Sequence, residues 1–400
     1  MPDQALKGYR VLDLSNTIAG PYCTKLLAGL GAEVVKVESP GNGDPARSMG
    51  PFYRDDPHPE KSILFLYLNT SKKGITLDIT TEMGKSIFKE LVKHSAVVVE
   101  SFGPGEMERL GLGYETLEGI NPGLVMTSLS NFGQTGPYRD YKALDINIMA
   151  MAGPMASMGE PDREPLVYGG WPAQYYGGVN GFAATLIALY YREVSGEGQH
   201  VDISLLECMS TLMEHSEIGW GFNEVSAPRW GNAWLSLAAW GTYMCQDGHI
   251  GVVSSLSSKR WRTLHLVMDK PELDDPRFWN LFGRRIFKDE IEAHMLPWLL
   301  EHTKEEIYHK GQKVGFPMSP IRTPEDIVGS AQLEARDFFV EVDHPVVGSF
   351  SYPGAPIRMT ETPWQSGPAP LLGEHNEEVY CKRLGYTREQ YVRLKEMHVI

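Results

Sequence analysis

An α/β fold built on a parallel, Rossmann-like sheet is what this 400-residue sequence predicts, on three observations. A strand-loop-helix-strand unit opens the chain. Helix and strand patterns then alternate to about residue 130. The chain is also too long for one ordinary core, so it holds two domains, or one large domain with a smaller one inserted.

The elements follow in order. Tyr9 to Leu14 reads as a strand, Ser15 to Gly20 as a loop, and Pro21 suits the first turn of a helix. Leu26, Leu27 and Leu30 give that helix an apolar face and Gly31 stops it. Glu33 to Glu38 is the next strand, and a β-α-β unit of this kind implies parallel pairing. A helix over Thr81 to His94 leads to a strand at Ala96 to Glu100, and Val125 to Leu129 is a further strand. Ala143 to Met158 is rich in Met and Ala. A long apolar helix covers Gly177 to Tyr191, with a turn at Ser195 to Gly198, a strand at Val201 to Ser204 and a helix at Leu205 to Trp220. Asn223 to Trp240 has a linker-like composition. A second α/β region at 241–325 opens with a strand-turn-strand at Tyr243 to Val253, with Asp247-Gly248 as the turn. The Pro/Gly-rich stretch from Pro345 to Gly373 is extended or looping, and a last helix lies near Arg388 to His398. The expected division is therefore a large domain from 1–222, a small α/β domain from 223–325, and a segment from 326–400 that returns to the large domain.

Composition narrows the function. The formal charge is −14, which repels a phosphate backbone and argues against nucleic-acid binding. Cys23, Cys208, Cys245 and Cys381 are far apart and form no CxxC, so neither a zinc site nor a disulfide framework is expected. The polar start MPDQALKGYR carries no signal-peptide core, and no apolar run is long enough to span a membrane. A cytoplasmic location is expected. The first β-α turn has no GxGxxG, which argues against a nicotinamide-dependent enzyme, and Glu38 reads as a solvated strand-end carboxylate rather than a ribose ligand.

Four ordered segments carry more. They are Leu12 to Glu38 with Ala19-Gly20-Pro21, Asn69 to Asp78 (NTSKKGITLD), Glu100 to Gly105 with Arg109-Leu110-Gly111, and Pro368 to Asn376. In this order and over nearly the whole chain they resemble the class III CoA-transferase family, whose members move coenzyme A between carboxylic acids. The resemblance implies a Rossmann-like large domain made from both chain ends, a smaller α/β domain, and two subunits interlocked like links of a chain. It also implies CoA or acyl-CoA as substrate with no tightly bound cofactor and no metal. The matching CoA positions are Thr17, Ile18, Ala19, Leu77, Ser101, Phe102, Arg109 and Lys142. Ala19 and Gly20 let backbone approach a ligand, Phe102 can wall the adenine, and Arg109 and Lys142 supply charge for phosphate. A local ion pair of Arg109 with Glu106 is the simpler alternative. The chain departs from the family at Ser39 and Ser130, where formyl-CoA transferase has basic residues.

The family reaction uses an aspartate that attacks the donor thioester and then carries CoA as an aspartyl thioester. Counted back from the turn Gly196-Glu197-Gly198-Gln199, that position falls on Gln174. A carboxamide is neutral and cannot form the adduct. The mobile glycine run of formyl-CoA transferase falls on Trp234-Leu235-Ser236-Leu237, and the histidine of the racemase branch on Leu144. Asp145 is the best substitute carboxylate, although a structural hydrogen-bonding role is the simpler reading; Glu160, Asp162 and Glu164 are also near in sequence. His200 and His215 read as structural. Met149, Met151, Met155 and Met158, with Trp171, Tyr175, Tyr176 and Trp234, form either an apolar acyl pocket or ordinary packing. The pattern resembles the Asp-lacking subunit of the two-subunit succinyl-CoA:benzylsuccinate CoA-transferases, which pairs with a homologous Asp-bearing subunit. A homodimeric CoA-ester binding protein and an active homodimer using Asp145 are the alternatives.

Overall fold

The computed structural model describes residues 4–234, 237–254 and 257–400, and for residues 214–217 the backbone only. Its residues gather into two compact units. The first is Met1–Gly153, Tyr168–Met213 and Gln332–Ile400, and the second is Pro154–Val167 with Glu214–Ala331.

The first unit is built on six parallel strands: β1 (Arg10–Asp13), β2 (Glu33–Glu38), β3 (Lys73–Thr76), β4 (Val97–Glu100), β5 (Val125–Ser130) and β6 (Gln199–Ser204). Their order is β3-β2-β1-β4-β5-β6, so the α/β expectation holds. The order reverses between β1 and β4, and in such sheets ligands bind beyond the carboxyl ends of the strands at that reversal. Val11, Leu12, Val97, Val98, Val99 and Val125 are all buried, as expected of a parallel sheet covered on both faces.

β3 is an edge strand pinned by the chain's far end. Gly74 donates its N–H to His375 Nδ1 at 3.1 Å, Thr76 N–H reaches Asn376 Oδ1 at 2.9 Å, and Tyr380 Oη donates to Thr76 O at 2.6 Å. Asn376 is buried, so the segment Leu372 to Asn376 works as a clamp on the sheet edge.

Two helices place the site. α1 (Ala19–Gly29) follows β1. The long helix Pro172–Ser195 starts with proline at its first position, five residues before the expected Gly177, and Gly196 ends it in the left-handed conformation. This helix lies very close to α1. A Cβ on Gly178 would sit 2.6 Å from Ala19 O, and one on Gly181 would sit 2.9 Å from Leu129. The helix predicted over Leu205 to Trp220 is two helices, Leu205–Ser210 and Glu214–Asn223, and the break falls where the chain leaves the first unit.

The second unit has an antiparallel three-stranded sheet of β7 (Trp240–Cys245), β8 (Gly248–Val253) and β9 (Met318–Pro320). Cys245 pairs with Gly248, so the hairpin turn is Gln246-Asp247, one residue before the expected position. Its core gathers Trp261, Leu264, Phe278, Ile291, Met295 and Phe316. The chain then returns to the first unit as the hairpin β10 (Phe339–His344) and β11 (Gly348–Pro353), followed by an extended stretch and the helix Arg388–Glu396. Among the described residues, no helix is long and apolar enough to cross a membrane.

Candidate functional site

Asp13, the last residue of β1, anchors the loop that follows. Its buried carboxylate accepts hydrogen bonds from Ser15 N at 3.0 Å, Thr24 Oγ1 at 2.6 Å and Lys72 Nζ at 2.9 Å. Burial opposes its ionisation, but Lys36, Lys72 and the two hydroxyls outweigh burial and hold the carboxyl well below the usual range. Lys36 Nζ donates to Ser15 O at 2.7 Å and pairs with Asp44 at 2.8 Å. Asp44 in turn accepts Thr17 N–H at 3.0 Å. These bonds hold Thr17 in the left-handed region, at φ 62°, a conformation that costs a non-glycine residue energy. Gly20 must lack a side chain, because a Cβ there would overlap Ser15. Glu38 is buried and forked by Arg47 at 2.6 and 2.8 Å, so it faces no ligand.

Across the strand-order reversal, Asn16 N–H donates to Ser101 Oγ at 2.9 Å. This joins the loop after β1 to the loop after β4. Between these loops and the residues after β5 lies a cleft of about 590 Å³. Thr17, Ala19, Ser101, Phe102, Lys142 and Gln174 line it. Ser130 lines it too; its side-chain oxygen is buried and has no hydrogen-bond partner among the described residues. A buried hydroxyl in that state leaves a site for a ligand's polar group. Asn16, Asn131 and Arg139, which the sequence reasoning missed, also line the cleft. The run Tyr138-Arg139-Asp140-Tyr141-Lys142, with two cations among aromatics, was the available signal.

Three expected binding positions lie elsewhere. Ile18 and Leu77 are 2% exposed and face the interior. Arg109 points outward and forks onto Glu106 at 2.8 Å, the local i,i+3 pair. The candidate acyl wall is divided: Met149, Met151, Trp171, Tyr175 and Tyr176 belong to the first unit, and Met155, Met158 and Trp234 to the second. Trp234 packs against Trp240 with ring centroids 4.5 Å apart and the planes tilted by 33°. Glu160 packs within the second unit, where its backbone oxygen accepts Arg229 Nε at 3.0 Å. Of the Trp234 to Leu237 run, Leu235 and Ser236 lie outside the described residues, as does the side chain of His215.

Gln174 occupies the first turn of the long helix, half-buried at the cleft wall. Its backbone N–H donates to Asp145 Oδ1 at 3.1 Å. Asp145 is itself buried at the start of the helix Asp145–Met151. Burial raises its pKa, while the Gln174 and Ala173 amides pull it back. The carboxylate thus serves free amides at a helix N-terminus, where negative charge is favoured. The two carboxylates that line the cleft are engaged as well: Glu106 by Arg109 and Asp140 by Arg139 at 3.3 Å. Lys142 has no ion-pair partner among the described residues. The arrangement offers cations, backbone and an orphan hydroxyl to an anionic ligand, and among the described residues no uncommitted carboxylate. No cluster of His, Cys, Asp or Glu able to hold a metal occurs among the described residues.

Known proteins resemble this chain over nearly its whole length. A family model described as CoA-transferase family III matches residues 6–376. The succinyl-CoA–D-citramalate CoA-transferase of Chloroflexus aurantiacus is 34% identical over 404 residues, covering 100% of this chain and 99% of that protein. The formyl-CoA:oxalate CoA-transferase of Streptomyces avermitilis is 35% identical over 416 residues, covering 99% and 100%. Among solved structures, a CaiB/BaiF family protein from Brucella suis superposes with a TM-score of 0.84 at 30% identity, covering 95% of this chain and 99% of that one.

Proposed function

The chain belongs to CoA-transferase family III, and on that premise we propose that it is the subunit of a two-component CoA-transferase that does not carry the covalent step. The cleft at the strand-order reversal holds the CoA ester. Thr17 and Ala19 present backbone to it, Phe102 forms an aromatic wall, and Lys142 and Arg139 meet its phosphates. The single observation that carries the reading is Gln174. It stands in the first turn of the long helix, at the position that counting back from the Gly196 turn matches to the family's aspartate, and among the described residues no uncommitted carboxylate lines the same cleft.

A carboxylate attacks a thioester because it is ionised at neutral pH and its acyl adducts stay reactive. A carboxamide has no anionic oxygen, and its nitrogen lone pair is delocalised. The nucleophile must then come from a homologous Asp-bearing subunit. Exposed apolar side chains along the long helix, including Ile187, Tyr190 and Val194, give such a partner a surface to cover. The interlocked arrangement expected from the family would join the two subunits. We assign succinyl-CoA as donor, the donor named for the citramalate relative, and a dicarboxylate such as benzylsuccinate as acceptor.

Purification of the tagged chain from its native host tests this. A stoichiometric homologous partner, with CoA transfer only by the pair, is the expected result. A homodimer that transfers CoA by itself would overturn it, and a homodimer that binds CoA esters without turnover would leave a binding protein instead.

A further inference from the structure

The returning C-terminal segment closes onto a buried arginine. Arg47 lies in the short turn Pro45–Ser48 after β2 and is 0% exposed. Its guanidinium carbon sits 3.7 Å from the centre of the Phe65 ring. Its Nη1 donates to Glu60 Oε2 at 2.6 Å, and its Nη2 to Pro370 O at 3.1 Å. The other oxygen of Glu60 accepts Leu372 N–H at 3.0 Å. On its inner side Arg47 forks Glu38, whose Oε2 also accepts Asp44 N–H at 2.9 Å. Asp44 Oδ1 receives Thr17 N–H at 3.0 Å, and Thr17 lines the cleft. A continuous run of hydrogen bonds therefore joins Pro370 and Leu372 to the cleft wall, although neither lines the cleft.

On the reading that this cleft holds CoA, we propose that Arg47 and Glu60 are positioning residues for it. The docked segment 370–372 completes the partners of Arg47 and Glu60. Arg47 then fixes Glu38 and, through it, Asp44, which holds Thr17 in the conformation that faces the ligand. CoA affinity thus depends on the docking of a segment outside the cleft.

Thr17, at φ 62°, keeps a strained conformation only while its surroundings impose it. Asp44 is also oriented by Ala46 N–H at 2.8 Å and by Lys36 at 2.8 Å, so undocking weakens the hold on Thr17 without abolishing it. Residues 354–371 contain no helix or strand, and their place depends on individual bonds. Gln365 N–H reaches Gly29 O at 2.9 Å and Gly367 N–H reaches Ser71 Oγ at 2.8 Å, beside the contacts to Arg47 and Glu60. A segment held this way opens at low free energy. Opening takes Pro370 O from Arg47 and Leu372 N–H from Glu60. It also admits water, and the Arg47–Glu38 attraction falls as the local dielectric rises. By linkage, if docking favours CoA, then CoA favours docking to the same degree.

The test uses the full chain, as wild type and Glu60→Gln, with CoA as the probe. Glutamine offers one acceptor oxygen in place of two, so it serves Arg47 or Leu372 N–H but not both in their present geometry. Calorimetric titration well below the melting temperature should show CoA affinity about 3- to 10-fold weaker in Glu60→Gln. In wild type, saturating CoA should slow hydrogen exchange in peptides covering 366–376 as well as in those covering 14–20, and the slowing at 366–376 should shrink in Glu60→Gln. Contacts that only stabilise the fold would lower the melting temperature of Glu60→Gln and move neither readout. Unchanged CoA affinity in Glu60→Gln, or exchange at 366–376 that ignores CoA in wild type, overturns the inference alone. The wild-type exchange measurement decides the matter if Glu60→Gln folds poorly. Absence of CoA binding by wild type overturns the cleft assignment and this inference with it.

Discussion

Removing the Asp145 side chain separates a structural carboxylate from a chemical one. Asp145 accepts the Gln174 amide at 3.1 Å and also serves Ala173, both in the first turn of the long helix. Loss of such a cap costs about 1 kcal/mol, and loss of negative charge at a helix N-terminus about 0.5 kcal/mol more. Asp145→Ala should therefore lose about 1.5 kcal/mol, or about 4 °C in the melting temperature of a unit this large. Asp145→Asn keeps an acceptor oxygen and should lose about 0.5 kcal/mol. Both variants shift the amide that fixes Gln174 on the cleft wall, so CoA affinity should fall in the same order, Ala more than Asn. The assay is thermal unfolding together with CoA titration, then transfer by the chain paired with the partner proposed above. If Asp145→Asn melted like wild type but abolished transfer, Asp145 would be acting on substrate and the capping argument would be wrong.

Other outcomes follow from the same structure. Lys72→Met strands the Asp13 carboxylate with one fewer cation and should cost about 3–5 kcal/mol in chemical denaturation, most of it recovered by adding Asp13→Asn. Glu100 has its folded pKa raised from 4.5 to about 7. The folded state therefore binds the extra proton, and this group's contribution to stability falls as pH climbs from about 4.5 to 7. Glu100→Gln should consequently be the more stable protein at pH 8, by up to about 3 kcal/mol, with the gap closing toward pH 5; equal melting at both pH values would contradict the shift. Gly178→Ala should destabilise by about 1–3 kcal/mol through overpacking, and should weaken CoA binding as well, since the clash falls on Ala19 O beside the cleft. Unchanged affinity there would mean that the α1 N-terminus does not carry the ligand.

The sheet was legible where strand and helix periods alternate. Glu33–Glu38 has the bounds expected, and β1, β4 and β5 differ from expectation only at their ends. β3 was not read as a strand, because Lys73-Gly74-Ile75-Thr76 is short and holds a glycine. It is stable because His375, Asn376 and Tyr380 clamp it from three hundred residues away, and no local pattern reports that. The early start of the long helix was signalled by Pro172. Gly178, against Ala19 O and Tyr22, and Gly181, against Leu129 and Cys23, are the positions where that helix and α1 come close.

The site divides along similar lines. Thr17, Ala19, Ser101, Phe102, Lys142 and Gln174 were marked by motif and converge on one cleft. Ile18 and Leu77 share those motifs but point inward. Arg109 finds its counter-charge one turn away, at Glu106. Lys36 with Asp44, and Lys72 with Asp13, are pairings between separate loops and strands. Charge counts along the chain cannot show which of these groups are buried together.

The most direct test of the central claim is covalent trapping. The purified chain, alone and with the Asp-bearing partner proposed for it, is incubated with succinyl-CoA and quenched with hydroxylamine or read intact by mass spectrometry. The predicted result is saturable CoA binding without any adduct on this chain, an adduct on the partner, and a new adduct on this chain after Gln174→Asp. An acyl or CoA adduct on a carboxylate of the unmodified chain would contradict it.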